Sequence, residues 1–177
     1  MTLYALTGTP GTGKTSLSKE LRSRGYNVID GKEHIKANGL LGELDVERDT
    51  HEVDLDLLND SLQTYRDSPD LYLIDSHLSH FMDCSGIIVL RCHPDILVER
   101  LRARGYGENK VCENVQSEVL DVILCEATES DIPVWEVDCS HDDIFVSADS
   151  IEEILKGKSD DYVPGKTDWS QEMDKWF

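Results

Sequence analysis

Residues Gly8-Thr9-Pro10-Gly11-Thr12-Gly13-Lys14-Thr15 read GxxxxGK[ST] in full. A run of this kind works only between a strand and a helix. Its glycines let successive N–H groups turn toward one anion, and the helix start adds its unpaired donors and partial positive charge. Both neighbours are legible. Leu3–Thr7 is a short apolar run bounded by glycine, which predicts a buried strand. Leu17 and Leu21 then recur at helical spacing up to Arg24-Gly25, where glycine suits a helix end. In that setting Gly11, Thr12, Gly13, Lys14, Thr15 and Ser16 are the expected nucleotide contacts. Lys14 would reach β- and γ-phosphate oxygens, and Thr15 would offer its hydroxyl to Mg²⁺.

The rest of the chain alternates strand and helix signals. Tyr26–Ile29 predicts a second strand, and Asp30 a cap for a short helix running to Asn38-Gly39. Gly42–Thr50 reads as a polar, acidic loop. Leu55, Leu58, Leu62 and Tyr65 follow a cap at Asp54. Leu71–Ile74 predicts a third strand ending in Asp75, and Ser76–Ser85 a loop. Gly86–Leu90 has the continuous β-branched character of a strand covered on both faces. Pro94 opens a helix that ends at Arg104-Gly105, and a longer helix is expected over about 113–129. Ile132–Val137 predicts the fifth strand, and Asp149–Glu152 starts a last short helix. In the tail 157–177, which has no clear period, Trp169, Met173, Trp176 and Phe177 are the residues able to dock. Alternation of this kind implies an α/β fold: a five-stranded parallel sheet with helices on both faces and right-handed crossovers. Ligands of such sheets sit beyond the carboxyl ends of the strands, where Gly8, Asp75, Arg91 and Asp138 fall.

Charge narrows the function. The chain of 177 residues carries 36 Asp+Glu against 17 Lys+Arg, a formal net charge of −19. Phosphate backbones are held by clustered Lys and Arg, so non-specific nucleic-acid binding through a basic face is not expected. No stretch approaches the length of a membrane span, and no N-terminal targeting pattern is visible. Five cysteines (Cys84, Cys92, Cys112, Cys125, Cys139) without a CxxC pair point to reduced thiols and a cytoplasmic location. Two readings of the acidity stay open: salt tolerance, and steering toward a basic partner.

Two further constellations carry chemistry. A phosphate loop needs a carboxylate that holds Mg²⁺ through its water shell, and Asp75 at the third strand's end is placed for it. His77, two residues on, would share its direction if the strand continued, and could order a water or a phosphate. Arg100, Arg102 and Arg104 form a local basic cluster in an acidic chain, with Arg100 and Arg104 on one helix face. Guanidinium groups grip phosphate in bidentate fashion and stack on bases, as a clamp over a transferring phosphate requires.

These residues resemble the adenylate kinase isoenzyme 6 family, the adenylate kinase-like ATPases of small-subunit ribosome assembly. The resemblance runs from about Leu3 to Cys139. It rests on the phosphate loop, on Ile74-Asp75-Ser76-His77, on Val89-Leu90-Arg91, and on Glu99-Arg100 through Arg104-Gly105-Tyr106 to Asn109-Lys110, followed by Glu113-Asn114 and Glu118. It implies a nucleoside monophosphate kinase-like P-loop domain over 1–177, with a monophosphate-binding arm at about 30–60 and a short lid at about 104–112. It implies transfer of the ATP γ-phosphate to AMP, a slow ATPase, and a small-subunit ribosomal protein with a basic tail as partner. Lys14, Asp75, His77 and Arg104 would be catalytic, Arg100 would lie against the adenine, and Thr15 and Asp75 would serve Mg²⁺. The chain departs from the family pattern at Lys36, where an arginine is usual, at Cys92-His93 and at Leu78-Ser79. Two other functions fit the same residues: an ATP-switched assembly factor with little kinase activity, and a P-loop kinase for another small acceptor.

Overall fold

The computed structural model describes residues 2–45, 50–141 and 143–177. Strand β1 (Leu3–Gly8) leads into α1 (Lys14–Ser23), then β2 (Asn27–Asp30) and α2 (Gly31–Ala37). A hairpin of β3 (Leu41–Asp45) and β4 (Thr50–Val53) follows, then the short helices α3 (Leu55–Ser61) and α4 (Gln63–Arg66). Next come β5 (Tyr72–Asp75), β6 (Gly86–Arg91), α5 (Pro94–Ala103), α6 (Glu108–Val119) and α7 (Val122–Thr128). Strand β7 (Val134–Asp138), α8 (Ile144–Leu155) and a last turn of helix, α9 (Met173–Trp176), complete the chain.

The expected five-stranded parallel sheet is present, in the order β2-β5-β1-β6-β7. Alternate residues along each strand feed opposite faces. Leu3, Ala5, Ile74, Ile87 and Val89 pack with Leu58, Leu62, Leu124 and Ala127 on one face. Leu6, Leu73, Ile88, Leu90 and Val137 pack with Leu17, Leu21, Ala148, Ile151 and Ile154 on the other. Every residue of β6 is buried, as its unbroken apolar run requires. A third cluster joins Leu97, Val98 and Leu101 of α5 to Val111, Val115 and Val119 of α6, with Trp176 from the tail against them.

Local signals act as read at several points. Asp30 accepts from Glu33 N and caps α2, and Asp54 accepts from Asp56 N and Leu57 N to cap α3. Pro94 occupies the first turn of α5, and Gly25 and Gly105 take positive φ just past α1 and α5.

Five expectations need correction. The segment read as a loop over Gly42–Thr50 contributes to the β3–β4 hairpin, paired Leu41↔Val53 and Asp45↔Thr50; its residues 46–49 lie outside the described set. The apolar repeat after Asp54 is split at Leu62 into α3 and α4. The helix expected over 113–129 starts earlier, at Glu108, and is broken into α6 and α7 at Asp121, which adopts φ 55. The last core helix begins at Ile144, capped by Asp143, with Asp149 inside it. Ser76–Ser85 contains a 3₁₀ turn at Ser79–Phe81.

Candidate functional site

Parallel pairing aligns the carboxyl ends of the strands. Asp30 stands opposite Asp75, and Arg91 opposite Asp138, with Gly8 leaving the central strand between them. The phosphate loop therefore springs from the middle of the sheet. Gly8 has φ 139, and a Cβ there would meet the Leu90 carbonyl oxygen at 2.5 Å, so only glycine lets the loop leave β1 this close to β6. Thr12 N and Thr12 Oγ1 both donate to Thr9 O, at 3.2 and 2.9 Å, and hold the loop in a closed turn.

Lys14 folds back across this turn. Its Nζ donates to Gly8 O and, at 3.0 Å, to Thr9 O. Burial pushes its pKa down to about 8, against the opposing pull of Asp75 and Glu118. Asp75 Oδ2 accepts from Ser18 Oγ at 2.7 Å. Burial raises the Asp75 pKa, while Ser18 and Lys14 pull it back. Thr15 presents its side chain to solvent at the start of α1. A threonine hydroxyl and a carboxylate beside one phosphate loop are the hard oxygen donors that suit Mg²⁺.

A cavity of about 510 Å³ lies between the loop and helices α5 and α8. Gly11, Thr12, Gly13, Ser16, Arg100 and Arg104 all line it. The structure thus brings together six of the residues singled out in the sequence. Arg100 is anchored there: its Nη1 donates to Cys139 O at 2.9 Å, and its Nη2 to His141 O at 3.4 Å. Arg104 is exposed at the end of α5, within electrostatic reach of Lys14. The expected lid region consists of the turn Arg104–Gly107 and the first turn of α6, with Lys110 Nζ 5.2 Å from the Tyr106 ring centre.

His77 does not line that cavity, but it lies within electrostatic reach of Lys14. Strand β5 ends at Asp75, so His77 belongs to the following turn and strand alternation does not orient it. It is an exposed residue, yet protein crowds its ring. That burial, together with the charges of Lys14 and His80, lowers its pKa below 6.5. Its backbone is tethered: Thr7 Oγ1 donates to His77 O at 3.4 Å and lies 3.2 Å from His80 Nδ1, while His80 Nε2 lies 3.0 Å from Glu126 Oε2.

Two basic residues that the sequence placed near the site, Arg91 and Arg102, are held elsewhere. Arg91 is 1% exposed and is held by Glu118, Asp121 and Glu136 beneath the cleft. Arg102 is exposed and pairs with Glu108 at 2.7 Å. Lys36 is exposed on α2. Sequence reasoning also missed cavity residues: Cys139, His141, Ile144 and Ser147 line the wall opposite the loop. Their signal was the end of the fifth strand at Asp138, the position where α/β sheets receive ligands.

A protein-family model described as "AAA domain" matches residues 5–121. The chain is 40% identical over 168 residues to a Methanocaldococcus jannaschii protein named "Putative adenylate kinase", covering 94% of this chain and 92% of that one. It is 37% identical over 175 residues to a protein of the same name from Archaeoglobus fulgidus, covering 97% and 94%. The chain belongs to their family. Among solved structures it resembles a shikimate kinase from Bacteroides thetaiotaomicron, with TM-score 0.62, 21% identity, and 88% of this chain and 98% of that one covered. A deoxyadenosine kinase from M. mycoides superposes with TM-score 0.59 at 15% identity, over 88% of this chain and 99% of that one. At such identities the likeness concerns the fold, which is that of P-loop kinases.

Proposed function

We propose that this protein is an adenylate kinase that moves the γ-phosphoryl group of ATP to AMP and hydrolyses ATP as a side activity. The observation that carries the reading is the shared cavity: loop residues Gly11–Gly13 on one wall, with Arg100 and Arg104 converging on it from α5. The names of the archaeal relatives support AMP as acceptor.

Phosphoryl transfer asks for positioning and charge neutralisation more than for acid–base work. The loop amides and Lys14 would hold the β- and γ-phosphates. To do so Lys14 must exchange its two carbonyl partners for phosphate oxygens, which strengthens the bonds it donates. Arg100 would face the adenosine half and Arg104 the transferring phosphate. Thr15, and Asp75 through water, would hold Mg²⁺, which neutralises charge between the phosphates when bound. His77, beside Lys14, would order the acceptor or a water. The arm at about 30–60 would bind the monophosphate, with Lys36 as a point charge where a fork is usual, and the lid would span about 104–112.

Excluding water is what separates a kinase from an ATPase. The connection between α5 and α6 is only Arg104–Gly107, little material for a lid, and this favours a substantial ATPase component. That observation supports the second reading, an ATP-switched factor of small-subunit ribosome maturation in the cytoplasm. Its acidic exterior would meet a basic ribosomal protein. Among the described residues no helix is long and apolar enough to cross a membrane.

The deciding experiment measures ADP formed from ATP alone and from ATP plus AMP, in wild type and His77→Ala. The kinase reading expects ADP formation to rise sharply with AMP, and equal rates with and without AMP would sink it. A pull-down of the ribosomal partner that ignores both ATP and His77→Ala would count against the switch.

A further inference from the structure

Glu118 is the most connected carboxylate in the described structure, and it is 3% exposed. Its two oxygens face different tasks. Oε1 accepts from Arg91 Nε (2.9 Å), Cys92 N (3.0 Å) and Trp169 Nε1 (3.4 Å). Oε2 accepts from Thr9 Oγ1 at 2.6 Å. Thr9 is itself 2% exposed, and its carbonyl receives Thr12 N, Thr12 Oγ1 and Lys14 Nζ. One carboxylate on α6 therefore braces the turn that sets the direction of Lys14.

The same carboxylate is reached from the C-terminal tail. Residues 166–177 run back over the buried ion cluster. Lys166 N and Thr167 N both donate to Glu136 Oε1, at 2.6 and 2.8 Å, while Glu136 Oε2 pairs with Arg91. Trp169 sets its ring edge-on to His93 with centres 5.0 Å apart, and His93 caps α5. Farther on, Gln116 Nε2 donates to Trp176 O at 2.7 Å, and Lys175 pairs with Asp95. The tail thus grips α5, α6 and β7 together, and its contacts converge on Glu118 and Glu136, the carboxylates flanking Arg91.

We propose that Glu118 is a positioning residue for the phosphate loop, and that the docked tail, from Lys166 to Phe177, fixes it in place. The inference rests on the reading of the loop as an ATP site. A carboxylate locked on one oxygen by three donors has a fixed bearing for the other. Releasing the tail removes one of those donors and loosens the hold of β7 on Arg91, so the bearing toward Thr9 is lost. By reciprocity, nucleotide bound to the loop tightens the tail.

The test measures the Kd of a non-hydrolysable ATP analogue by calorimetry for wild type, Thr9→Val, Trp169→Phe and the double variant. Phenylalanine keeps an aromatic ring against His93 and removes the N–H together with the five-membered half of the indole. Each single change is expected to weaken binding about 5-fold, with the double no weaker than about 5- to 10-fold, because both act through one carboxylate. In the kinase assay KM for ATP should rise while KM for AMP stays. A Trp169→Phe Kd within twofold of wild type, or effects that simply multiply, would overturn the proposal. Hydrogen exchange of the 166–177 amides gives a second reading without a variant: the analogue should slow it about threefold, and unchanged exchange overturns the link. If wild type fails to bind the analogue, the ATP reading falls instead. The link is then decided by Thr9→Val alone, in which tail exchange must quicken about threefold.

Discussion

Lys14 shows how a site stores its readiness in one residue. Protein crowds its ammonium, which donates to two backbone carbonyls. The fold disfavours its charged form, so its pKa falls from 10.5 to about 8. Between those values the unfolded chain binds more protons than the folded one, and stability rises with pH across that window. Below pH 8 the penalty is constant. Wild type should therefore gain up to ~3 kcal/mol relative to Lys14→Met between pH 8 and 10.5, from the size of the shift. Urea unfolding of both proteins across that range measures it, and a flat difference would refute the assignment. The places of Lys14 and Thr15 were legible because the loop motif fixes them, and that of Asp75 because the third strand ends there. Thr9–Glu118 was not: the partners are 109 residues apart, and no spacing rule links a loop threonine to a carboxylate on a distant helix.

At the scale of elements, close approach decides more than propensity. Helix α2 begins at Gly31, where a Cβ would meet Ser76 Cβ at 2.7 Å and Asp75 O at 2.8 Å. Gly39, past the end of the same helix, has φ 66 and open space around it. Gly31→Ala should push α2 off the end of β5, costing about 1–3 kcal/mol by overpacking. It should also raise KM for the acceptor, because α2 belongs to the arm proposed to hold it. Gly39→Ala should cost only the left-handed strain, about 1 kcal/mol. Denaturant midpoints and steady-state kinetics on the two variants separate these effects. Sequence patterns located α1, α2 and α5 well because each carries a cap, a proline or a terminal glycine. They failed where tertiary contacts override period. Asp121 leaves the helical conformation while Arg91 holds its carboxylate, which divides one apolar repeat between two helices. The start of α8 was hidden because Phe145 and Val146 are exposed there and follow no core stripe.

Over the whole molecule, a net charge of −19 coexists with a fully buried guanidinium, that of Arg91. Burial works against the Arg91 charge, and Glu118 and Asp121 more than offset it, raising its pKa. Arg91→Leu would leave Glu118 and Glu136 facing each other's surroundings without a counter-ion. The expected loss is about 3–5 kcal/mol of unfolding free energy near neutral pH. Guanidinium titrations of both proteins at pH 7.5 test its size, and a loss under about 1 kcal/mol would refute it. The fold sorts the cations: Arg100 and Arg104 line the cleft, Lys14 folds onto the carbonyls of the loop, Arg91 is held inside by carboxylates, and Arg102 joins a surface pair.

The position of β1 has a further consequence. It is flanked by β5 and β6, so the loop at its end is anchored in the centre of the sheet. The arm proposed to hold the acceptor follows β2, a four-residue strand at the sheet's edge with a single neighbour. Edge segments open locally at far smaller cost than central ones. The arm is therefore expected to loosen and close many times during the lifetime of a single arrangement of the loop.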